Sequence, residues 1–184
     1  AYHNEELKSL TRYRFDKVCE RGQLKQSVSR LVTILFPELE QLVPTLHIAS
    51  VYALLSEYSG AKQISEVHLT KLTNLLATAS KGRYGKDKAI QIRDAARVSI
   101  GSVMPAKSLE LKHTIKLIQE LTSEIDEIEG SIQQIMDGLN PPILSIPGMG
   151  VHSAAMILAE IGDFSNFESP DKILAYAGCS PSTY

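Results

Sequence analysis

Apolar side chains recur every three or four residues along most of the 184-residue chain. This is the spacing of one face of an α-helix, so the pattern predicts an all-α fold. It is clearest in residues 105–139, where spacings of three and four alternate over four heptads. The seam positions are Leu111, Thr114, Ile118, Leu121, Ile125, Ile128, Ile132, Ile135 and Leu139. Such a seam is typical of a coiled coil and requires a partner helix.

The natural partner is a long helix predicted for residues 4–35, which contain no proline and one glycine. Packed antiparallel, the two helices would carry the residues between them as an insertion at one tip. An intermolecular coiled coil is equally compatible with the pattern. The sequence therefore predicts four segments: a long basic helix of the coiled coil (1–44), an inserted helical subdomain (45–104), the second coiled-coil helix (105–139) and a helix-hairpin-helix domain (140–184).

The inserted segment contains several short helical patterns. One covers residues 47–58, a second is expected to begin with Ser65 as its N-cap, and a third ends at Gly101. Residues 81–86, Lys-Gly-Arg-Tyr-Gly-Lys, form a basic loop between the last two. Paired helices with such a loop occur in DNA-binding proteins. A solvated loop in a small helical subdomain is favoured, because no side chains stand at spacings that read bases.

The most informative stretch is ILSIPGMGVHSAAMILAEIG, residues 143–162. Pro147 disfavours helix at the preceding residue, and Gly148 and Gly150 allow a sharp turn. Helical spacing resumes from Val151. The stretch predicts a helix-hairpin-helix whose free N–H groups and helix dipole converge on a phosphate. Candidate backbone-binding residues are Gly148, Met149, Gly150, Val151, His152 and Ser153. An ordinary packed turn is the competing interpretation, and for His152 so is a plain solvent-facing residue.

Composition limits the class of protein to which the chain can belong. An apolar fraction of 43% is enough for a globular core, and no apolar run is long enough to cross a membrane. Cys19 and Cys179 belong to no paired motif, which favours free thiols in a reducing, cytoplasmic setting. The five histidines show no paired ligand spacing, so no metal site is expected in these residues.

The net charge of −2 conceals an uneven distribution. Residues 1–30 carry seven Lys/Arg against four Asp/Glu, and residues 81–97 carry six against two, whereas residues 107–137 carry three against seven. Local basic excess is expected where certain faces meet phosphate. Possible basic contacts are Arg12, Arg14, Lys17, Arg21, Lys81, Arg83, Lys86 and Lys88. The acidic residues 120–129 fall mainly outside the seam and are expected to form a solvated face.

Residues 144–167, LSIPGMGVHSAAMILAEIGDFSNF, and the following SPDKILAYAGCSPSTY resemble the C-terminal transposase domain of the DEDD-type insertion-sequence transposases, which are bridge-RNA-guided bacterial recombinases. Residues 10–40, LTRYRFDKVCERGQLKQSVSRLVTILFPELE, resemble the helix that follows the catalytic domain of that family. The resemblance extends over essentially the whole chain and is most specific in the last forty or so residues.

The resemblance implies a catalytic N-terminal domain with a resolvase-like RNase H fold and four acidic residues that bind divalent metal, Mg²⁺ in expectation. That domain is expected to precede Ala1. It also implies a nucleophilic serine two residues beyond a tyrosine, in a motif that Gly178, Pro181 and Tyr184 match as far as it goes. Ser180 and Ser182 therefore do not inherit the nucleophile role. These residues are expected to be a fragment that is inactive in cleavage.

The function expected on this basis is nucleic-acid binding and assembly within a transposase that cleaves and rejoins DNA. The expected partners are DNA, a guide RNA and a second copy of the chain through the long helices. Two alternatives remain open. One is a non-catalytic helical dimerisation or scaffold module, and the other is the helix-hairpin-helix part of a DNA-repair protein.

Overall fold

A computed structural model describes residues 2–161, with side chains from residue 4 onward. This part of the chain is built from helices and contains no strand, which confirms the all-α prediction. Its helices are α1 (Tyr2–Leu35), α2 (Ala49–Glu57), α3 (Ala61–Ser65), α4 (Leu69–Ala79), α5 (Lys86–Arg97), α6 (Pro105–Leu139) and α7 (Val151–Ile161), with 3₁₀ turns at Pro37–Leu42 and Pro142–Ser145. Pro105 opens α6 at the first helical position, where its missing N–H costs nothing.

The chain divides into two compact units. Among the described residues, unit 1 consists of 2–22 and 120–161, and unit 2 consists of 23–119. Unit 2 is thus continuous in sequence, whereas unit 1 is assembled from two separate stretches. The four-segment division from the sequence stays a prediction.

Unit 2 has a large aliphatic core to which every one of its helices contributes. Fully buried side chains include Leu54, Leu55, Ile64, Leu72 and Leu76. The C-terminal part of α1 and the N-terminal part of α6 line the same core through Val28 and Ile115. Burial of this many branched side chains is the main stabilising contribution to unit 2.

The segment between α5 and α6 is fixed closely to unit 2 through its backbone. Ser102 donates its N–H to the Ile34 carbonyl, and Ile100 donates its N–H to Glu38 Oε1 at 2.8 Å. A Cβ atom at residue 101 would lie 2.2 Å from the Leu35 carbonyl oxygen, so only glycine fits there. The sequence predicted that a helix ends at Gly101; α5 already ends at Arg97, and the glycine is required by this close approach.

In unit 1, the first part of α1 lies antiparallel to the last part of α6. Arg14 contacts Glu129, Lys17 contacts Glu124, and Arg21 donates to the Thr122 hydroxyl. The partner's number falls as the α1 number rises, which defines an antiparallel register. Below these polar contacts, Leu7 shares a core with Ile132 and Met136.

Two sequence expectations need correction here. Ser65 is the last residue of α3 and not an N-cap, since α4 begins at Leu69. The seam of α6 is buried from Leu111 to Ile132, but Ile135 is half-buried, Met136 is fully buried and Leu139 is 46% exposed. A helix of 3.6 residues per turn drifts from a strict heptad, so the buried stripe moves by one residue. The coiled-coil geometry itself stays a prediction.

The expectation of free thiols is wrong for Cys19, which is disulfide-bonded. The predicted cysteine and serine motif at residues 178–184, and the helix predicted for residues 171–177, lie outside the described residues.

Candidate functional site

The glycine turn before α7 is a tight, hydrogen-bonded reversal. Met149 donates its N–H to the Ile146 carbonyl at 3.1 Å, and Gly148 has φ +82°. Proline at the second position and a glycine with positive φ at the third define a type II β-turn. The arm before the turn is the 3₁₀ turn Pro142–Ser145, which is shorter than the helix expected from the sequence.

The first turn of α7 presents backbone donors next to this reversal. The earliest hydrogen bond of the helix runs from the Ala154 N–H to the Gly150 carbonyl, at 2.9 Å. The N–H groups of Val151, His152 and Ser153 therefore precede the intrahelical ladder, at the positive end of the helix dipole. Such a group of donors suits an anion.

Both glycines of the turn face open space. A Cβ atom built at Gly148 or Gly150 meets nothing within 4 Å. At Gly148 the positive φ alone explains the glycine. At Gly150 neither crowding nor a positive φ does, in contrast to Gly101. Other open glycines occur in α1 and α6, so openness permits the approach of a ligand but does not identify one.

Two apolar side chains beside the turn face inward, whereas Ile146 at its start is 49% exposed. Met149 and Val151 pack against the core of unit 1, and Ser153 is exposed. Next in α7 come Ala154, Ala155 and Ala159, each fully buried. Their small side chains let α7 approach its neighbours closely. The helix that follows the turn is thereby packed into the core of unit 1 through small side chains.

Glu160 near the end of α7 is a buried carboxylate with a specific partner. Its residue is 4% exposed, and Arg12 of α1 approaches it with Nε to Oε1 at 3.0 Å and with a second guanidinium nitrogen to Oε2 at 3.1 Å. The contact is bidentate, the strong geometry for an arginine–carboxylate pair. A buried carboxylate without such a partner would be costly, so Arg12 compensates the burial of Glu160.

Glu129 of α6 connects three helices. Its Oε1 accepts from Arg14 Nε of α1 at 3.0 Å, and its Oε2 lies 3.5 Å from His152 Nε2 of α7. Burial lowers the pKa of His152, Arg14 lowers it further, and Glu129 opposes both. His152 Nδ1 is buried without a hydrogen-bond partner, which agrees with a neutral ring. The His152 ring, predicted to lie near phosphate, therefore faces the Glu129 carboxylate. The backbone N–H of His152 still lies in the first turn of α7, next to the glycine turn.

The basic residues predicted on α1 have polar partners within unit 1. Besides Arg12 and Arg14, Lys17 pairs with Glu124 at 3.4 Å and Arg21 donates to Thr122. This corrects the expectation of a solvated acidic face on α6: Glu120, Asp126 and Glu127 are exposed, but Glu124 and Glu129 are half-buried and paired. Whether the α1 cations contact nucleic acid stays a prediction.

The second basic group lies in unit 2, in the loop between α4 and α5 and in the first turn of α5. Lys81, Arg83 and Lys86 are exposed, with Lys81 in a left-handed conformation at φ +53°. Lys88 differs, since its ammonium donates to the Leu42 carbonyl at 2.6 Å and lies 5.3 Å from the Tyr84 ring centre. Three of the four predicted cations are therefore available to solvent, and their role also stays a prediction.

Sequence reasoning did not single out Glu160 and assigned Glu129 to a solvated face. An acidic residue inside the apolar stripe of residues 151–161 was the available signal for Glu160, because a carboxylate is rarely buried without a cation. Within residues 2–161, no group of three or more His, Cys, Asp or Glu side chains could hold a metal ion, so the Mg²⁺ implied by the resemblance has no fitting ligands among them. Among the described helices, none combines the length and apolar character that crossing a bilayer requires.

Comparison with known proteins gives two kinds of match. Residues 140–184 match the model of the transposase IS116/IS110/IS902 family. The chain is 26% identical to the insertion element IS110 uncharacterized 43.6 kDa protein of Streptomyces coelicolor, over 97% of this chain and 45% of that protein. It is 25% identical to the insertion element IS116 uncharacterized 44.8 kDa protein of Streptomyces clavuligerus, over 95% and 45%. The chain thus spans about half the length of these curated relatives. No solved structure matches it.

Proposed function

We propose that this chain is a nucleic-acid-binding and assembly part of a transposase that moves an insertion sequence by cleaving and rejoining DNA. The observation that carries the proposal is the coincidence of two features in one stretch. The match to a transposase family model begins at residue 140, and the same residues contain the open turn at the start of α7. Both relatives carry the names of insertion-element proteins, which supports the same assignment.

The proposed binding group is the backbone at Gly150, Val151, His152 and Ser153. Four features support it: N–H groups that precede the helical ladder, the dipole of α7, a hydrogen-bonded type II turn and open space at Gly150. Together they suit a phosphate of DNA or RNA, which would be held in register without reading of sequence. The exposed cations Lys81, Arg83 and Lys86 are proposed to add attraction that decreases with salt.

The finer parts of the proposal rest on the family resemblance. The resemblance assigns strand cleavage to two other parts of the transposase. These are a DEDD-type acidic domain that binds divalent metal and a serine nucleophile. Under the proposal, the 184 residues bind nucleic acid but do not cut it. The proposal further includes two partners, a bridge-type guide RNA and a second copy of the chain, and a cytoplasmic location.

The test compares two glycines that are equally open in unit 1. In Gly150→Leu the new side chain enters the place proposed for phosphate, whereas Gly138→Leu adds the same side chain near the end of α6, also without a neighbour within 4 Å. Affinity for duplex DNA and for structured RNA is measured by fluorescence anisotropy at several salt concentrations. We expect Gly150→Leu to weaken binding about tenfold or more, the equivalent of one lost charge-assisted hydrogen bond of roughly 1.5 kcal/mol.

Gly138→Leu should bind like the unmodified protein. Equal affinities for both variants would contradict the phosphate cradle while leaving another binding face open. Absence of any salt-dependent binding to either nucleic acid would contradict the proposed function and favour a scaffold.

A further inference from the structure

Among the described residues, two polar contacts link α7 to the rest of unit 1, one near each end of the helix. At its start, His152 meets Glu129, which also binds Arg14; near its end, Glu160 meets Arg12. His152 and Glu160 are eight residues apart, or about 12 Å along the helix axis. Two contacts separated by that distance fix both the tilt and the rotation of a helix, whereas one contact leaves it free to pivot.

The apolar contacts of α7 cannot set this position as sharply. Ala154, Ala155 and Ala159 are the fully buried residues of its inner face, and a methyl group interlocks little with its neighbours. The larger Met156 is also buried, and Leu158 packs partly against the same core as the alanines. Small-residue faces allow close approach but tolerate sliding. A bidentate guanidinium–carboxylate contact is directional, and moving it off register would leave Glu160 buried without its cation. The polar contacts therefore add a directional constraint on the register of α7 that small side chains supply only weakly.

From these contacts we infer that Arg12 and Glu160, together with Arg14, Glu129 and His152, form a clamp that positions the start of α7 for its ligand. Arg12 and Arg14 are then positioning residues and not phosphate contacts. The inference rests on the proposed function in one respect, namely that the ligand at the start of α7 is a nucleic acid. It differs from the expectation that these arginines form a nucleic-acid-binding face.

The two assignments predict opposite changes in nucleic-acid affinity when the Glu160 carboxylate is removed. If Arg12 binds phosphate, Glu160 competes with the ligand, and its removal strengthens nucleic-acid binding. If the pair is a clamp, removing either partner releases the end of α7 and weakens binding. A clamp residue also releases no counterions, so its loss leaves the slope of log K against log[salt] unchanged. Loss of one phosphate contact would reduce that slope by about 0.9.

The experiment is a double-mutant cycle of Arg12→Met, Glu160→Met and the double variant, whose apolar side chains roughly retain the length of the originals. Hydrogen exchange of the α7 backbone amides is measured without nucleic acid, and affinity with salt dependence is measured with duplex DNA. Either single variant should speed exchange in α7 about five- to thirtyfold and weaken DNA binding. The double variant should be no worse than the worse single variant, because the two residues act as one unit.

Arg30→Met is the matched control, since Arg30 is a cation of α1 whose guanidinium donates to the Ser27 hydroxyl one turn earlier, in an exposed hydrogen bond. It should leave α7 exchange unchanged. Glu160→Gln, which retains shape and one acceptor, serves if a methionine variant does not fold; it should show a smaller change of the same sign. Tighter DNA binding by either Glu160 variant, or a reduced salt slope in Arg12→Met, would overturn the clamp.

Hydrogen exchange in α7 tests the clamp even if the protein binds no nucleic acid. A failure of the clamp can therefore be distinguished from a failure of the proposed function. Unchanged α7 exchange in both single variants would contradict the clamp whatever the DNA measurements give.

Discussion

Unit 2 and unit 1 are both helical, but α7 of unit 1 is packed differently from the helices of unit 2. Unit 2 encloses large branched side chains, such as Leu54 and Leu72, contributed by many short helices. Unit 1 packs α7 largely through alanines, links its end to α1 by the Arg12–Glu160 ion pair, and places His152 at its start against Glu129 of α6. A core of large side chains specifies its packing by shape. A small-residue face gives close approach instead, and directional polar contacts must then define the register.

The comparison predicts that unit 2 is most sensitive to lost volume. Leu54→Ala removes a fully buried side chain, and the cavity together with the lost burial should cost about 2–5 kcal/mol of unfolding free energy. Leu117→Ala is the control, because Leu117 is 54% exposed and should change stability by roughly 0.5 kcal/mol or less. Urea denaturation measures both. Equal effects would mean that the buried aliphatic core does not dominate the stability of unit 2.

Unit 1 should show the reverse sensitivity, to added volume. Ala155 is fully buried on the inner face of α7, so Ala155→Leu would force α7 away from its neighbours. Overpacking of this kind costs about 1–3 kcal/mol. The same change at exposed Ala106, in the first turn of α6, should be nearly neutral. Hydrogen exchange of α7 amides localises the effect, and an unperturbed α7 in Ala155→Leu would show that the alanine face is not closely packed.

The smallest expected difference concerns pH. Burial lowers the pKa of His152 in unit 1, and Arg14 adds to the effect while Glu129 opposes it; in unit 2, burial and then Lys25 lower the pKa of His47, against Glu40. A folded-state pKa below the unfolded value of about 6.5 means that the unfolded chain binds more protons. Stability should therefore fall as pH drops below about 6.5 and level off below the folded pKa.

Thermal unfolding from about pH 7.5 to about pH 5.5 measures this dependence. His152→Gln and His47→Gln should each flatten part of it, and the two parts should add because the residues belong to separate units. An unchanged pH profile in the double variant would show that other groups carry the dependence.

The long helices could be predicted well because their signals are local. Pro105 marks a helix start, and the apolar spacing of residues 111–132 defines the buried stripe of α6. The short α3 was missed, and Ser65 was placed at the wrong end of a helix, because caps are chosen by tertiary context as well as by residue type. The turn at Pro147 and Gly148 was also readable, since its chemistry is local.

The clamp could not be predicted, for a physical reason. Arg12 and Glu160 are 148 residues apart, and an ion pair over that separation leaves no periodic trace in one sequence. Counting charges made α1 a basic face for nucleic acid. The structure adds that carboxylates of α6 and α7 accompany three of those cations, and whether they also contact nucleic acid stays a prediction.

The order of chain segments has a consequence for folding kinetics. Unit 2 is continuous, whereas unit 1 must bring residues 2–22 to residues 120–161 across all of unit 2. Closing so long a loop in an unfolded chain costs entropy before any contact forms. Leu24 and Ile118, near the two ends of unit 2, pack in one core, so its folding draws those ends together. We therefore expect unit 2 to fold early and α7 to dock late.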